Sequence, residues 1–356
     1  MGYMGGGERL CCDTIRALSS SGHQVTLLSA SFESKTIEDF FGYEGLFDKV
    51  TKLQYPTLET GVSLGANRDI LSHVKGQRRV LSKEDRSSFD LIFSTQDPRY
   101  VPDASIPVVQ WGYYGSHVPT VRERRTPPRI ARSLATDLYY RKKISRLALV
   151  LAISQFSKES LDREWKRPSI LVHPACNMVT PLRKQNTVVT VARAIPEKRL
   201  EIFWKVASLC PGLNFVMLLT QDKRFQSYFE ELERSTPPNG QILLNPERPL
   251  YHRMLGEARV YLHFMENEHF GITVVEAMSA GCVPIVHDSG GPREIVTEQA
   301  GFRWKSIQEL PQLVTTAMSK PETGEIATER AESFNYEVFE RKLSSIFSEL
   351  QKRIRK

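Results

Sequence analysis

Cysteine is scarce and unpatterned in this chain of 356 residues. Cys11, Cys12, Cys176, Cys210 and Cys282 form no CxxC pair and no disulfide framework. Such usage excludes a small cystine-stapled fold and fits inert thiols in a reducing compartment. Long apolar runs are also missing. The longest, Leu147 to Ile153, has seven residues, where a membrane-spanning helix needs about 20. No basic stretch leads into an apolar one at the N-terminus, so no secretory signal is expected and the protein is placed in the cytoplasm. Asp and His nowhere gather with metal-ligand spacing, and no internal repeat or low-complexity tract is evident.

What is present is ordinary globular composition, 40% hydrophobic and 25% charged. The length suits two domains of about 150 residues each. The formal net charge of +7 is concentrated in one place. Between Val121 and Arg146 stand Arg122, Arg124, Arg125, Arg129, Arg132, Arg141, Lys142, Lys143 and Arg146, opposed only by Glu123 and Asp137. This segment carries the whole excess, and the remainder of the chain is neutral.

Short apolar runs alternate with helical periods, the pattern of a parallel α/β sheet. Glu8 to Ser20 has helical spacing at Leu10, Ile15 and Leu18, with Gly22 as its stop. Gln24 to Ser29, Leu91 to Ser94, Val108 to Trp111 and Ala148 to Ile153 read as strands. The polar, twice proline-broken stretch His173 to Asn186 reads as an interdomain linker. Beyond it come strands at 187–193, 215–220, 260–264 and 283–287, with helices near 200–208, 224–234, 272–280 and 292–298. The final 20 or so residues, with Phe339, Leu343, Ile346, Phe347 and Leu350 on one stripe, form an amphipathic helix. The expected division is a first domain over 1–175, a linker over 176–186, a second domain over 187–334 and a terminal helix over 335–356 that returns to the first domain. The chain opens directly at a glycine-rich loop, so either the true start lies upstream or the first strand of that domain is missing.

Three stretches carry chemistry. In Asn267 to Gly281 (NEHFGITVVEAMSAG), Glu268 precedes a helix and Glu276 lies about one turn inside it. The amides of Phe270, Gly271 and Ile272 fall at the helix start, where unpaired N–H groups hold anions and oxygen-rich ligands. Two carboxylates flanking such amides suit a polyhydroxylated ligand, although two isolated glutamates could equally make a solvated acidic loop. In Val191 to Glu201 (VARAIPEKRLE), Arg193 ends a strand and Lys198 precedes a helix, which is either a pair of surface cations or a site for phosphate. Gly5, Gly6 and Gly7 precede the first helix and alone are a weak signal.

Together these stretches resemble the family-4 retaining glycosyltransferases of the GT-B fold, in which two Rossmann-like parallel-sheet domains face each other across a cleft. Glu268 and Glu276 resemble that family's pair of glutamates seven residues apart, and His287 to Pro292 (HDSGGP) its SGGP loop. The resemblance implies that Glu268, with the backbone at His269, Phe270, Gly271 and Ile272, meets the transferred sugar. It further implies that Glu276 binds the ribose, and that Arg193 and Lys198 neutralise the nucleotide diphosphate without a metal. Gly5, Gly6 and Gly7 resemble the first domain's loop at donor phosphate and acceptor. GGGERLCCDTIRAL, NEHFGI, LAISQFSKE (Leu151 to Glu159) and His173-Pro174 are similar to the dolichol-pathway α-1,2-mannosyltransferase branch. This makes GDP-mannose the expected donor and a glycan or lipid-linked glycan the expected acceptor. Tyr113 stands where that branch has a histidine beside the donor sugar, and His117, four residues on, is the candidate substitute.

The basic segment 121–146 has no zinc-finger, helix-turn-helix or RNA-reading motif beside it, which argues against nucleic acid. It is either a solvated face or a patch for an anionic membrane surface bearing the acceptor, with Trp111, Tyr139 and Tyr140 assisting. Two other readings of the whole chain differ in class: a catalytically weak sugar-nucleotide-binding partner subunit, and a phosphorylase or synthase with a soluble acceptor.

Overall fold

Every pair of neighbouring strands among the described residues is parallel. The alternation of short apolar runs with helices demands this, because each crossover helix returns the chain to the same end of the sheet. The computed structural model describes residues 5–30, 32–55, 76, 77, 80, 88–98, 106–113 and 138–354. The chain divides into two units, Met1–His173 with Glu340–Lys356, and Pro174–Phe339.

The first unit begins with helix α1 (Gly6–Ser20), followed by β1 (Thr26–Ala30), α2 (Ser34–Phe41) and β2 (Thr51–Tyr55). Cys12 and Ile15 of α1 pack with Leu27, Ile37, Phe41, Phe47 and Val50 into one core. A second sheet follows, in the order β3 (Ile92–Ser94), β4 (Val108–Gly112), β5 (Leu149–Ala152), β6 (Ile170–Leu171), with α3 (Gln155–Trp165) between its last two strands. Ser154 caps α3 by accepting from the Ser157 amide at 2.9 Å.

The second unit holds β7 (Thr187–Arg193), α4 (Glu201–Leu209), β8 (Asn214–Thr220), α5 (Gln226–Arg234), β9 (Gly240–Leu244), α6 (Arg248–Glu257) and β10 (Val260–Leu262). It continues with α7 (Ile272–Ser279), β11 (Val283–His287), α8 (Pro292–Ile295), β12 (Phe302–Trp304), α9 (Leu310–Met318) and α10 (Pro321–Ala331). Its six strands lie in the order β12-β11-β10-β7-β8-β9. Counted within the unit this is sixth, fifth, fourth, first, second, third. The winding reverses between β7 and β10, and open α/β sheets take ligands outside the carboxyl ends of the strands at that point. Phe203, Phe215, Phe264 and Trp304 fill the core, and burying each side chain of this kind stabilises by roughly 1.5–3 kcal/mol.

Residues 176–186, expected as a linker, have no helix or strand but are tied to the second unit. The Val179 amide donates to Ser279 Oγ at 2.9 Å. Lys184 Nζ donates to the carbonyls of Gly256, Ala258 and Ala280 at 2.8, 2.8 and 2.5 Å, collecting orphan acceptors at the ends of α6 and α7. The last helix, α11 (Tyr336–Ile354), contributes residues 340–354 to the first unit. There Phe347 packs edge-on against His23 at 4.5 Å and against Phe93 at 5.8 Å.

Part of the basic segment is corrected by its burial. Residues 121–137 lie outside the described residues, and 138–145 are helical. Trp111 and Tyr140, expected at a membrane interface, are core residues at 1% and 3% exposure, and Lys143 is buried as well. The apolar period of this short helix turns Tyr140 and Ile144 inward. Leu138, Tyr139, Arg141, Lys142 and Arg146 remain exposed. Among the described residues no helix is long and apolar enough to cross a membrane.

Candidate functional site: two strand ends at a switch point

The cations come from the end of β7. Arg193 is its last residue, and Pro196 opens a 3₁₀ turn, Pro196–Lys198, in which proline's fixed φ suits the first position. The turn ends at Arg199 with a left-handed φ of 50°, and Arg199 pairs with Glu266. Lys198 Nζ reaches the loop after β10, donating to Glu268 Oε2 with Met265 Sδ 3.1 Å away. Arg193 has no side-chain hydrogen bond or ion pair among the described residues.

The carboxylate comes from that loop, and a second loop fixes its backbone. Asn267 takes φ 54° and Gly271 φ 108°, the latter turning the chain into α7. The Asn267 amide donates to Ser289 Oγ at 2.8 Å and the Gly291 amide to the Glu268 carbonyl at 2.8 Å. His287 Nδ1 lies 2.7 Å from the same Ser289 hydroxyl. A Cβ on Gly290 would stand 2.4 Å from the Glu268 carbonyl oxygen, and one on Gly291 2.5 Å from Phe270 Cα. Only glycine permits this approach, which is the physical reason for the SGGP sequence. The Phe270 side chain is buried, edge-on to Phe334 at 5.7 Å, so only its backbone is left for a ligand.

Burial pulls the Glu268 carboxyl upward, but the Lys198 ammonium and His263 outweigh it and hold the group well below its usual range. His263 Nε2 stands 3.6 Å from Glu268 Oε2. Burial lowers the affinity of the His263 ring for a proton, with Glu268 opposing. An ionised carboxylate therefore sits beside an ammonium, an arrangement able to meet sugar hydroxyls and phosphate oxygens side by side.

Glu276 is on the second turn of α7, 5% exposed, where Tyr251 of α6 donates to its Oε2 at 2.6 Å. The same helix is held by Thr273 Oγ1, 2.8 Å from the Tyr261 hydroxyl. The structure thus brings Lys198 and Glu268 into contact, with Arg193 on the neighbouring strand end, and gives Glu276 a separate partner.

The remaining candidates belong to the first unit. Gly5 precedes α1, its amide donating to Glu8 Oε2 at 3.1 Å, and Gly6 and Gly7 are the helix's first two residues. Tyr113 follows β4 and donates to the Thr95 carbonyl at 3.0 Å. Its hydroxyl lies 3.4 Å from where a Gly7 Cβ would stand, and burial pushes its ionisation upward. His117 lies outside the described residues.

His263 and Tyr251 escaped the reading of the sequence. A polar residue one step past the apolar run Val260–Leu262, at a strand end beside the switch point, was the available signal for His263. For Tyr251 there was none, since its partner is 25 residues away.

Residues 179–334 match the glycosyl transferases group 1 family. That match takes in nearly the whole of the second unit. The chain is 29% identical over 222 residues to the GDP-Man:Man(3)GlcNAc(2)-PP-Dol alpha-1,2-mannosyltransferase of Yarrowia lipolytica, covering 51% of this chain and 35% of that protein. With the enzyme of the same name from Mus musculus it shares 32% over 158 residues, 37% of this chain and 32% of that one. The matched stretches span about a third of these relatives' length. Among solved structures, a glycosyltransferase from Rickettsia africae matches 99% of this chain and 97% of its own at a TM-score of 0.73 and 16% identity. Anabaena HepE in complex with UDP and glucose matches 98% and 97% at 0.72 and 17%. The chain therefore has the GT-B fold of these neighbours, as the sequence led one to expect.

Proposed function

We propose that the protein is a retaining hexosyltransferase that moves mannose from GDP-mannose to a lipid-linked glycan. The observation that carries this is the contact of Lys198 with Glu268 beside the switch point of a group 1 domain. Transfer from a nucleotide sugar leaves a nucleoside diphosphate. Arg193 and Lys198 place two cations for that leaving group, the electrostatic stabilisation that such a step needs most, so no metal is called upon. Glu268 and the amides of residues 269–272 orient the sugar hydroxyls, and Glu276, steadied by Tyr251, accepts from the ribose. In the first unit, Tyr113 is assigned to the transferred sugar and Gly5–Gly7 to the donor phosphate and the acceptor.

The names of the relatives support guanosine diphosphate and mannose on the donor side and a dolichol diphosphate on the acceptor. A lipid-linked acceptor requires work at a bilayer. Arg141, Lys142 and Arg146 are exposed beside Leu138 and Tyr139, and each basic residue near anionic lipid adds about 1 kcal/mol. The protein is accordingly proposed to act as a peripheral protein on the cytoplasmic membrane face.

Purified protein given GDP-mannose or UDP-glucose, each with lipid-linked and soluble glycan acceptors, tests the reading. Transfer is expected with GDP-mannose and the lipid-linked glycan, and is expected to vanish in Lys198→Ala and in Glu268→Ala. Near-normal turnover in both variants would sink the assignment, and activity confined to soluble acceptors would replace it with a synthase.

A further inference from the structure

In this site the cation assigned to the diphosphate is already occupied by the carboxylate assigned to the sugar. Lys198 Nζ donates to Glu268 Oε2, and both side chains are largely buried, at 20% and 16% exposure. A diphosphate would compete with the carboxylate for the charge and the donors of Lys198 and so loosen its hold on Glu268. Glu268 would then be left charged, half sequestered from water and close to new negative charge, which is costly unless another donor receives it.

His263 is placed to do so. Its Nε2 stands 3.6 Å from the same Oε2 that Lys198 holds, so a few tenths of an ångström would complete a hydrogen bond. The ring is pinned through its backbone on two sides. The His263 amide donates to the Ile285 carbonyl at 3.0 Å, and the His263 carbonyl accepts from Trp304 Nε1 at 3.1 Å. Nδ1 has no hydrogen-bond partner among the described residues, and burial favours the neutral ring. A neutral imidazole whose Nδ1 is bare keeps its proton on Nε2, directed at the carboxylate.

We propose that His263 is a positioning residue that receives Glu268 when the donor's diphosphate takes Lys198, keeping the carboxylate aimed at the sugar. This rests on the nucleotide-sugar reading above. The unliganded pair is then a self-occupied site, and donor binding exchanges one partner of Glu268 for the other.

A double-mutant cycle tests it, with GDP as the probe in isothermal titration calorimetry. Glu268→Gln releases Lys198 and should tighten GDP roughly fivefold, a modest coupling for residues in contact. His263→Leu removes the second donor and should weaken GDP roughly fivefold. In the Glu268→Gln background His263→Leu should leave the GDP Kd unchanged, because His263 acts only through the carboxylate. His263→Asn retains an N–H donor and should recover most of the loss, while His263→Met, which also lacks the donor, serves in place of the leucine variant if that one fails to fold. An equal loss from the His263 substitution in both backgrounds, or no loss from it in either, overturns the proposal. If the wild-type protein binds neither GDP nor UDP, the nucleotide-sugar reading itself falls, and the role of His263 with it.

Discussion

At Gly290 and Gly291 an added Cβ would lie 2.4 and 2.5 Å from the backbone of Glu268 and Phe270. At Gly5 and Gly7 the nearest atoms are 3.4 Å away and belong to the side chains of Glu8 and Tyr113. The turn in the second unit needs glycine because two loops share one space, and their contact sets where Glu268 stands. The turn in the first unit has no such crowding, so packing does not explain its glycines. The buried carboxylates of the two units differ in the same sense. Burial raises Asp13, against the pull of Arg9 and a 2.6 Å hydrogen bond from Tyr43, whereas Lys198 and His263 hold Glu268 down against its burial. A run of glycines or a buried acid carries little meaning until its neighbours are known.

The largest effect should come from Gly291→Ala. Forcing a methyl into the Phe270 backbone should cost about 3 kcal/mol and, by displacing Glu268, lower transfer at least about 100-fold, a loss on the scale of removing one stabilising donor. Thermal unfolding and transfer assays measure the two. A milder outcome than for the first unit's glycines would break the comparison.

Acid should separate the units next. The stability that Glu268 gains from its partners is present above its unfolded range near 4.5 and is lost as pH falls through its depressed folded value. Asp13 works the other way, because its penalty, full above its raised folded value, fades as pH falls toward 3.8. Unfolding of wild type, Glu268→Gln and Asp13→Asn between pH 3 and 7 reads this. Glu268→Gln should flatten the acid loss, and Asp13→Asn should steepen it.

Tyr251→Phe removes one hydrogen bond to Glu276, worth about 1 kcal/mol, and should raise the donor KM about fivefold with kcat nearly unchanged. The smallest effect should be that of Gly7→Ala, whose new methyl meets only ordinary contacts and whose stability should stay within about 0.5 kcal/mol of wild type.

The strongly apolar strands were legible because burial on both faces leaves near-continuous runs such as Val188–Val191 and Phe215–Leu219. β9, whose residues are mostly half-exposed, and β12, only three residues long, have no such run. The helices α6, α9 and α10 likewise went unread. Lys198, Glu268 and Glu276 were singled out because they lie in short, patterned stretches at a strand end and a helix start that resemble a family's motifs. What surrounds them was hidden: the Lys198–Glu268 contact joins residues 70 apart, and the sheet order that puts β7 beside β10 is written in no local stretch. Trp111 and Tyr140 misled for a related reason, since an aromatic beside charges looks the same in sequence whether it faces water or the core.

The return of α11 to the first unit bears on the order in which the chain is made. Phe347 seals against His23 and Phe93, but the ribosome releases it only after the whole of Pro174–Phe339 has been synthesised. At about 5–20 residues per second, the first unit waits roughly 10–30 s for its closing helix, while the second can finish as it emerges. The half of the molecule that is translated first is therefore completed last, an order that proteolysis of ribosome-stalled chains would read out.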